Sequence, residues 1–258
     1  MSGRVAGRSA IVTGGAGGIG AATCEVFCEQ GARVAIVDVD RAALDATAEA
    51  VRSRVPGAEV LAIAADVSSE DEAARAVAEA LDGFDKLDIL VNCAGIRSYE
   101  PIAEAKGETW RRVLDVNLLS YAYMAKAALP ALRRSGNANI VNISSTYGVS
   151  GRAGMGQYDA TKAAIIALSR TLAFEEVEHG VRVNSLCPGY TMTPFHIRRG
   201  EAQGRTREEI LNQEVDDCLM RRWADAREIA LPILWLACDE ASYVTAANFM
   251  VDGGRPVR

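Results

Sequence analysis

Tyr158 and Lys162 stand four residues apart in QYDATKAAI (157–165), a stretch patterned like the opening turns of a helix. That spacing is one helical turn, so phenol and ammonium share a face. Ser144 ends the β-rich run ANIVNIS (138–144), and Ser145 follows it, 13 residues before Tyr158. Strand end, loop and helix start at this spacing can bring a hydroxyl and a phenol to one carbonyl oxygen. An unperturbed phenol titrates near ~10 and an ammonium near ~10.4, so tyrosine is a poor base at neutral pH. A fixed cation within reach lowers such a pKa by roughly 1–3 units, each worth about 1.36 kcal/mol toward the phenolate. The positive nicotinamide ring of an oxidised cofactor would add to this. The pair makes chemical sense as a tuned general acid/base. On these residues alone, an aromatic packed beside a solvated lysine is the commoner occurrence.

A second constellation lies near the start. TGGAGGIG (Thr13 to Gly20) follows the run SAIVT (9–13) and opens a helical pattern. Glycines let backbone amides approach a pyrophosphate, and a helix N-terminus adds partial positive charge. Asp38 ends RVAIVD (33–38), 18 residues after Gly20. A carboxylate there accepts from both adenosine ribose hydroxyls and repels a 2′-phosphate. Neither Gly15 nor Val39 supplies an offsetting cation, so NAD is expected rather than NADP. Asp40 is better placed than Asp38 to cap a helix from Arg41. Asp66-Val67 follows VLAIA (60–64), where a carboxylate either meets the adenine amino group or serves as a turn residue. Asn92-Cys93-Ala94-Gly95 follows LDILVN (87–92), and its small residues let the backbone lie against a cofactor ribose.

These groups need a frame, and the chain alternates between two periods. The runs named above, with VRVNSL (181–186) and NFMVD (248–252), read as seven strands, most of them apolar enough for burial on both faces. Helical patterns fill 19–30, 41–54, 69–81, 108–134, 157–179 and 226–238. Strand–helix alternation throughout implies an α/β fold: a doubly wound parallel sheet with helices on both faces, one domain over 1–258. One region breaks the rhythm. Residues 187–224 are too long for an ordinary connection and carry helical signals at 206–219. Beyond a strand's carboxyl end, such an insertion (190–224) is either a substrate lid or a decorative surface helix.

Composition excludes several classes. With 49% hydrophobic and 24% charged residues, the chain reads as soluble and globular. A net charge of −6 argues against nucleic acid as partner. Six cysteines without a CxxC, and two histidines without ligand-like company, read as core and surface residues in a reducing compartment, with no metal. MSGRVAGRSA lacks an apolar signal region, and the run IALPILWLAC (229–238) is too short to span a bilayer. A cytoplasmic protein without a membrane partner is expected.

TGGAGGIG, NCAG, Asn117, IVNISS, YDATK and CPGYTMT, in this order, resemble the short-chain dehydrogenase/reductase family. The resemblance spans essentially the whole chain, to the terminal VDGG. It implies that Tyr158 is the acid/base. Lys162 would lower the phenol's pKa and hold the nicotinamide ribose hydroxyls. Ser145 would polarise the substrate oxygen. Asn117, in LDVNLLS, would interrupt helix 108–134 and hold a water in a proton relay. Gly14, Gly18 and Gly20 match the family's glycines, with Ile19 between the last two. Pro188-Gly189 match the turn after the sixth strand. Thr193 matches the threonine that contacts the nicotinamide carboxamide, with the backbone of Thr191 nearby. Cys93 departs from the pattern, which most often has a second asparagine there. The family also implies pro-S hydride transfer and a homotetramer with helices 108–134 and 157–179 across one interface.

Substrate contacts are expected from loops at the strands' carboxyl ends: Arg97, Tyr99, Arg152, Met155, Gln157, Tyr190, and the lid around Met192, Phe195 and His196. The two arginines can read a carboxylate or several hydroxyls, or stay solvated. The mixed lining suits a polyol, sugar, cyclic alcohol or hydroxy acid. The expected activity is an NAD-dependent secondary-alcohol dehydrogenase. The alternatives are an NADP-dependent ketone or 3-oxoacyl-thioester reductase, and a non-catalytic dinucleotide-sensing protein.

Overall fold

Neighbouring residues of the first apolar run face opposite ways: Ala10 and Val12 enter one core and Ile11 the other. The second run repeats this, with Val34 and Ile36 opposite Ala35 and Val37. Such two-sided burial is what a parallel sheet covered by helices demands of its strands.

A computed structural model describes residues 3–255. It runs β1 (Ser9–Thr13), α1 (Gly18–Glu29), β2 (Arg33–Asp38), α2 (Arg41–Arg54), β3 (Val60–Ala64), α3 (Glu70–Phe84) and β4 (Ile89–Asn92). Next come α4 (Gly107–Leu114), α5 (Ser120–Ser135), β5 (Ala138–Ile143), α6 (Gly156–Glu176) and β6 (Val181–Pro188). Last are β7 (Thr191–Met192), α7 (Pro194–Ala202), α8 (Arg207–Leu211), β8 (Ala224–Asp225), α9 (Ala226–Ala237) and β9 (Asn248–Val251). Seven strands pair in parallel in the order β3-β2-β1-β4-β5-β6-β9. Helices α1, α2 and α9 cover one face; α3, α5 and α6 cover the other. This is the doubly wound domain expected from the alternation. The chain reverses direction across the sheet between β1 and β4, and ligand crevices open at the carboxyl ends beside such a switch. No helix among the described residues is long and apolar enough to cross a membrane.

Local chemistry explains most boundaries. Asp40 caps α2 by accepting from the Ala43 amide at 3.1 Å. The stretch expected as one helix over 108–134 is divided: a π-turn at Asp115–Leu119 separates α4 from α5. Two differences fall in the insertion. Helical signals at 206–219 yield only α8, closed at its start by a Thr206/Glu209 capping box. Beyond Leu211 the backbone bonds elsewhere: the amides of Leu219 and Met220 donate to the carbonyls of Gly254 and Gly253. Those bonds replace helical ones. Conversely, α7 starts at Pro194 directly after its N-cap Thr193. Proline at a first helical position was an available start signal. The base of the insertion is pinned where β7 and β8 pair in parallel.

Asp88, just ahead of β4, ties three elements together. Its carboxylate accepts from the Ser9 amide (2.9 Å) and the Ser135 hydroxyl (2.6 Å) and pairs with Lys86 at 3.1 Å. Burial pushes this carboxyl's pKa up, but Ser135, the Ser9 amide and Lys86 together outweigh it, and the net shift is downward. A folded-state value below the unfolded one gives stability that is present above about pH 3.9 and lost as pH falls through the lowered value. Asp88→Ala strands the buried Ser9 amide and frees the half-buried Ser135 hydroxyl, and is expected to cost about 1–3 kcal/mol in urea unfolding. An unchanged midpoint would be the contrary result.

Candidate active site

The turn from β1 into α1 is built by close approach. A Cβ on Gly14 (φ +63°) would lie 2.7 Å from the Cα of Ala94, and one on Gly20 would lie 2.2 Å from the Gly14 carbonyl oxygen. Gly17, the N-cap of α1, has open space where a side chain would be. No side chain caps its helix, and the first turn holds no acid. These amides are therefore free to receive an anion. Ile19 packs into the core behind the turn. Asp38 reaches back over it: one carboxylate oxygen accepts from the Ala16 amide (3.1 Å), the other from the Asp40 amide (3.2 Å). Among the described residues Asp38 has no cationic partner. Open amides at a helix N-terminus beside a strand-end carboxylate fit a dinucleotide.

The other nucleotide-end candidates divide. One oxygen of Asp66 is taken by the amide and hydroxyl of Ser68 at 3.0 and 2.6 Å, a turn contact. Its neighbour Val67 is buried. Asn92 points into the sheet, donating to the Asn142 side chain at 2.9 Å. It is therefore the backbone of Ala94 and Gly95 that borders the crevice. Thr13 holds that backbone, its hydroxyl oxygen accepting from the amides of Cys93 (3.1 Å) and Ala94 (3.2 Å). Tyr121 holds it too, its hydroxyl lying 3.2 Å from the Ala94 carbonyl and 3.0 Å from that of Ile143. Neither role was read from sequence, because each needs contacts across the sheet.

At the opposite end of the crevice, Lys162 is buried with Nζ donating to the Ile143 carbonyl at 2.8 Å. It stands 5.5 Å from the Tyr158 ring centre. Burial pushes the ammonium's pKa down, with Tyr158 acting against that. Ser144 donates to the Lys162 carbonyl at 2.7 Å, so its hydroxyl proton is engaged. The Ser145 oxygen instead accepts from the Tyr147 amide at 3.1 Å. Its own proton stays available to an oxygen in the cleft. Asn117 is fully buried in the π-turn. Its side-chain oxygen accepts from the Ile96 amide (2.7 Å), and its nitrogen donates to the Ile96 carbonyl (2.9 Å) and Thr161 hydroxyl (3.3 Å). With both N–H groups used, the side chain clamps the loop after β4.

Around Tyr158 and the insertion stands a wall of arginines and aromatics. The guanidinium carbons of Arg152 and Arg255 lie 3.4 and 4.0 Å from the Tyr147 ring centre. At those distances both cannot share one face, so they sandwich the ring. Arg152 pairs with Asp159 and Arg255 with Asp217. Tyr190 hydrogen-bonds to the Tyr147 hydroxyl and to Asp217, each at 3.1 Å. Met155 is buried as the N-cap of α6. Gln157 is also buried, with both ends of its amide unpartnered among the described residues. Tyr99 lies farther out, exposed, with the Arg199 guanidinium carbon 3.9 Å from its ring centre.

The insertion meets the glycine turn and Arg97 through His196 and Thr193. Arginine can only donate, so His196 Nε2 accepts from Arg97 at 2.6 Å. The ring proton then sits on Nδ1 and donates to the Thr193 hydroxyl at 2.9 Å. Thr193 in turn crowds the turn at α1: a Cβ on Gly18 (φ +53°) would lie 3.0 Å from its methyl. Gly189 packs backbone to backbone on Asp252, and Thr191 is buried beside it at the lid's base. Burial, with the Arg97 and Arg199 charges, pushes the His196 pKa down to about 4. The imidazole is expected to stay neutral in an NMR titration from about pH 8 to 5, against an unfolded value near ~6.5. The corresponding stability is complete above ~6.5 and drains as pH falls toward the lowered value. Protonation near the unperturbed value would contradict this hydrogen-bond assignment.

Known proteins resemble the whole chain. The family model described as enoyl-(acyl carrier protein) reductase matches residues 14–255. A 2,5-dichloro-2,5-cyclohexadiene-1,4-diol dehydrogenase of Sphingobium indicum is 37% identical over 254 residues, 98% of this chain and 98% of that protein. A cis-4-hydroxycyclohexanecarboxylate dehydrogenase of Sinomonas cyclohexanicum is 38% identical over 248 residues, 96% of each. The crystal structure of L-sorbose reductase from Gluconobacter frateurii, complexed with NADPH and L-sorbose, superposes with a TM-score of 0.93 at 29% identity, covering 99% of this chain and 98% of that one.

Proposed function

This chain belongs to the short-chain dehydrogenase/reductase family, and on that footing we propose that it moves a hydride between NAD(H) and a secondary alcohol or its ketone, with Tyr158 as general acid/base. The observation behind this is Lys162, a buried ammonium one helical turn from Tyr158 with a single protein hydrogen bond among the described residues. Two of its N–H groups remain for ribose hydroxyls. Bound NAD would supply the carbon that accepts the hydride in alcohol oxidation. Ser145 donates to the substrate oxygen and holds it. Tyr158 takes the hydroxyl proton, which completes the two-electron oxidation of the carbinol to a carbonyl. Asn117 fixes the loop that borders the cleft, and with both side-chain N–H groups engaged it offers a relay water acceptors only.

Asp38 supports NAD over NADP, because among the described residues its carboxylate has no cation paired with it to receive a 2′-phosphate. The L-sorbose reductase structure holds NADPH, and for this chain Asp38 argues the other way. The names of the relatives favour cyclic alcohols, hydroxy acids and sugars as the substrate range. The same residue opposes the alternative of an NADP-dependent 3-oxoacyl-thioester reductase. Residues 190–224 act as the substrate lid. The decisive test is NADH formation from a panel of cyclic alcohols, polyols, sugars and hydroxy acids. Turnover of at least one class with NAD supports the proposal. Turnover with NADP alone sinks the cofactor assignment, and binding of NAD without any turnover favours the non-catalytic alternative.

A homotetramer completes the proposal. Phe174 on α6 is 81% exposed, and a groove of about 380 Å³ between α5 and α6 is lined by Leu129, Pro130, Leu168 and Leu172. The edge strand β9 exposes Phe249 and Met250, and Tyr243 stands fully in solvent nearby in sequence. Exposed apolar faces of this kind are where copies of a chain pack. Analytical ultracentrifugation is expected to show a tetramer, and a monomer at all concentrations is the opposing result.

A further inference from the structure

Arg97 differs from the other arginines of the cleft. Its guanidinium carbon lies 5.7 Å from the Tyr158 ring centre and 5.3 Å from that of Phe195. Arg152 and Arg255 are each matched by an aspartate. Arg97 has no ion pair among the described residues, and its hydrogen-bond partner is the imidazole of His196. That bond uses one of five N–H groups and holds the guanidinium beside the acid/base without neutralising it. With Asp159 and Asp217 cancelling the opposite wall, Arg97 and Lys162 leave the cleft positively charged around Tyr158.

The surroundings of this charge are largely aromatic. Phe195 packs edge-on against His196 at 5.3 Å, and Trp223 lies 4.9 Å from the same imidazole. Arg97 is itself exposed, and a substrate filling the cleft beneath these rings would displace water from it. An unpaired cation loses solvation there, whereas a carboxylate recovers it through paired, charge-assisted bonds in the fork geometry that guanidinium favours. A neutral sugar or diol offers no such compensation.

Building on the alcohol dehydrogenase reading above, we infer that the substrate is a hydroxy acid: a hydroxylated ring or short chain whose carboxylate is bound by Arg97 while its carbinol faces Ser145 and Tyr158. His196 is then a positioning residue, holding Arg97 from behind and touching Thr193 with its other nitrogen.

The test compares hydroxycyclohexanecarboxylates and short hydroxy acids with their methyl esters, in the wild type, Arg97→Gln and Arg97→Lys. The wild type is expected to prefer acid over ester in kcat/KM by roughly 10- to 100-fold, the range for a hydrogen bond to a charged group. Arg97→Gln should collapse that ratio through KM on the acid more than through kcat, and Arg97→Lys should restore part of it. Added salt should weaken the acid preference. Calorimetric NAD binding and circular dichroism establish that the variants are folded and loaded. Equal use of acid and ester by the wild type, or an acid preference that survives in Arg97→Gln, overturns the inference. Turnover of neutral alcohols alone also overturns it while the dehydrogenase reading stands. No turnover by any alcohol removes both.

Discussion

Tyr158→Phe is expected to lose roughly 10²–10⁴-fold in kcat while still binding NAD, the range for removing a positioned acid/base. The substitution deletes one oxygen and keeps the ring. Arg97, Arg152 and Lys162, all between 5.4 and 5.7 Å from the ring centre, keep their packing partner. The Ser145 hydroxyl, proposed to polarise the substrate oxygen, keeps its contact with the Tyr147 amide, and the hydrogen bond of Lys162 to Ile143 is untouched. What disappears is the oxygen proposed to accept the carbinol proton. Without it the alkoxide must form unaided or release its proton to water. Steady-state rates paired with calorimetric NAD binding separate this from a binding defect. A variant that binds NAD and turns over at nearly the wild-type rate would show that Tyr158 is not the proton acceptor.

The second large effect concerns Asp38. Two like charges about 4 Å apart repel by about 4 kcal/mol at an effective dielectric near 20. A 2′-phosphate beside this carboxylate meets repulsion of that order and forfeits the ribose hydrogen bonds. The wild type is therefore expected to favour NAD over NADP by at least about 100-fold in kcat/KM. Asp38→Asn is the informative variant. It removes the charge and keeps one oxygen, which can retain the Ala16 amide contact on the glycine turn while the Asp40 amide contact is given up. The preference should narrow by about tenfold or more, mostly through poorer use of NAD and tolerated NADP. An unchanged ratio would place the discrimination elsewhere.

How much of this could be read from sequence follows from the range of the interactions involved. The strands announced themselves through local apolar runs, and alternate residues such as Ile11 and Val12 do face different cores. The glycine turn, Asp38 and the Tyr158/Lys162 pair are short-range patterns with a direct chemical meaning. Asn117 is different. Its π-turn leaves no composition signal, and only the family resemblance singled it out. The insertion after β6 was legible as an interruption but not in its details. Helical propensity at 212–219 gives way to bonds with Gly253 and Gly254, far off in sequence. The substrate wall was the least legible part. Arg255 donates to the Thr146 hydroxyl from 109 residues away, and Arg97 meets His196 across 99. Tyr147 and Asp217 join only once the lid and the strand ends are assembled. Such contacts belong to topology, and no local pattern marks them.

The central claim is direct hydride transfer from a carbinol carbon to the nicotinamide. A single-turnover reaction with alcohol deuterated at that carbon tests it most directly, read by NMR or mass spectrometry of the reduced cofactor. The account predicts one deuterium on the nicotinamide ring per ketone formed, on the pro-S face. Reduced cofactor without the label, or ketone formed with no reduced cofactor, would contradict it.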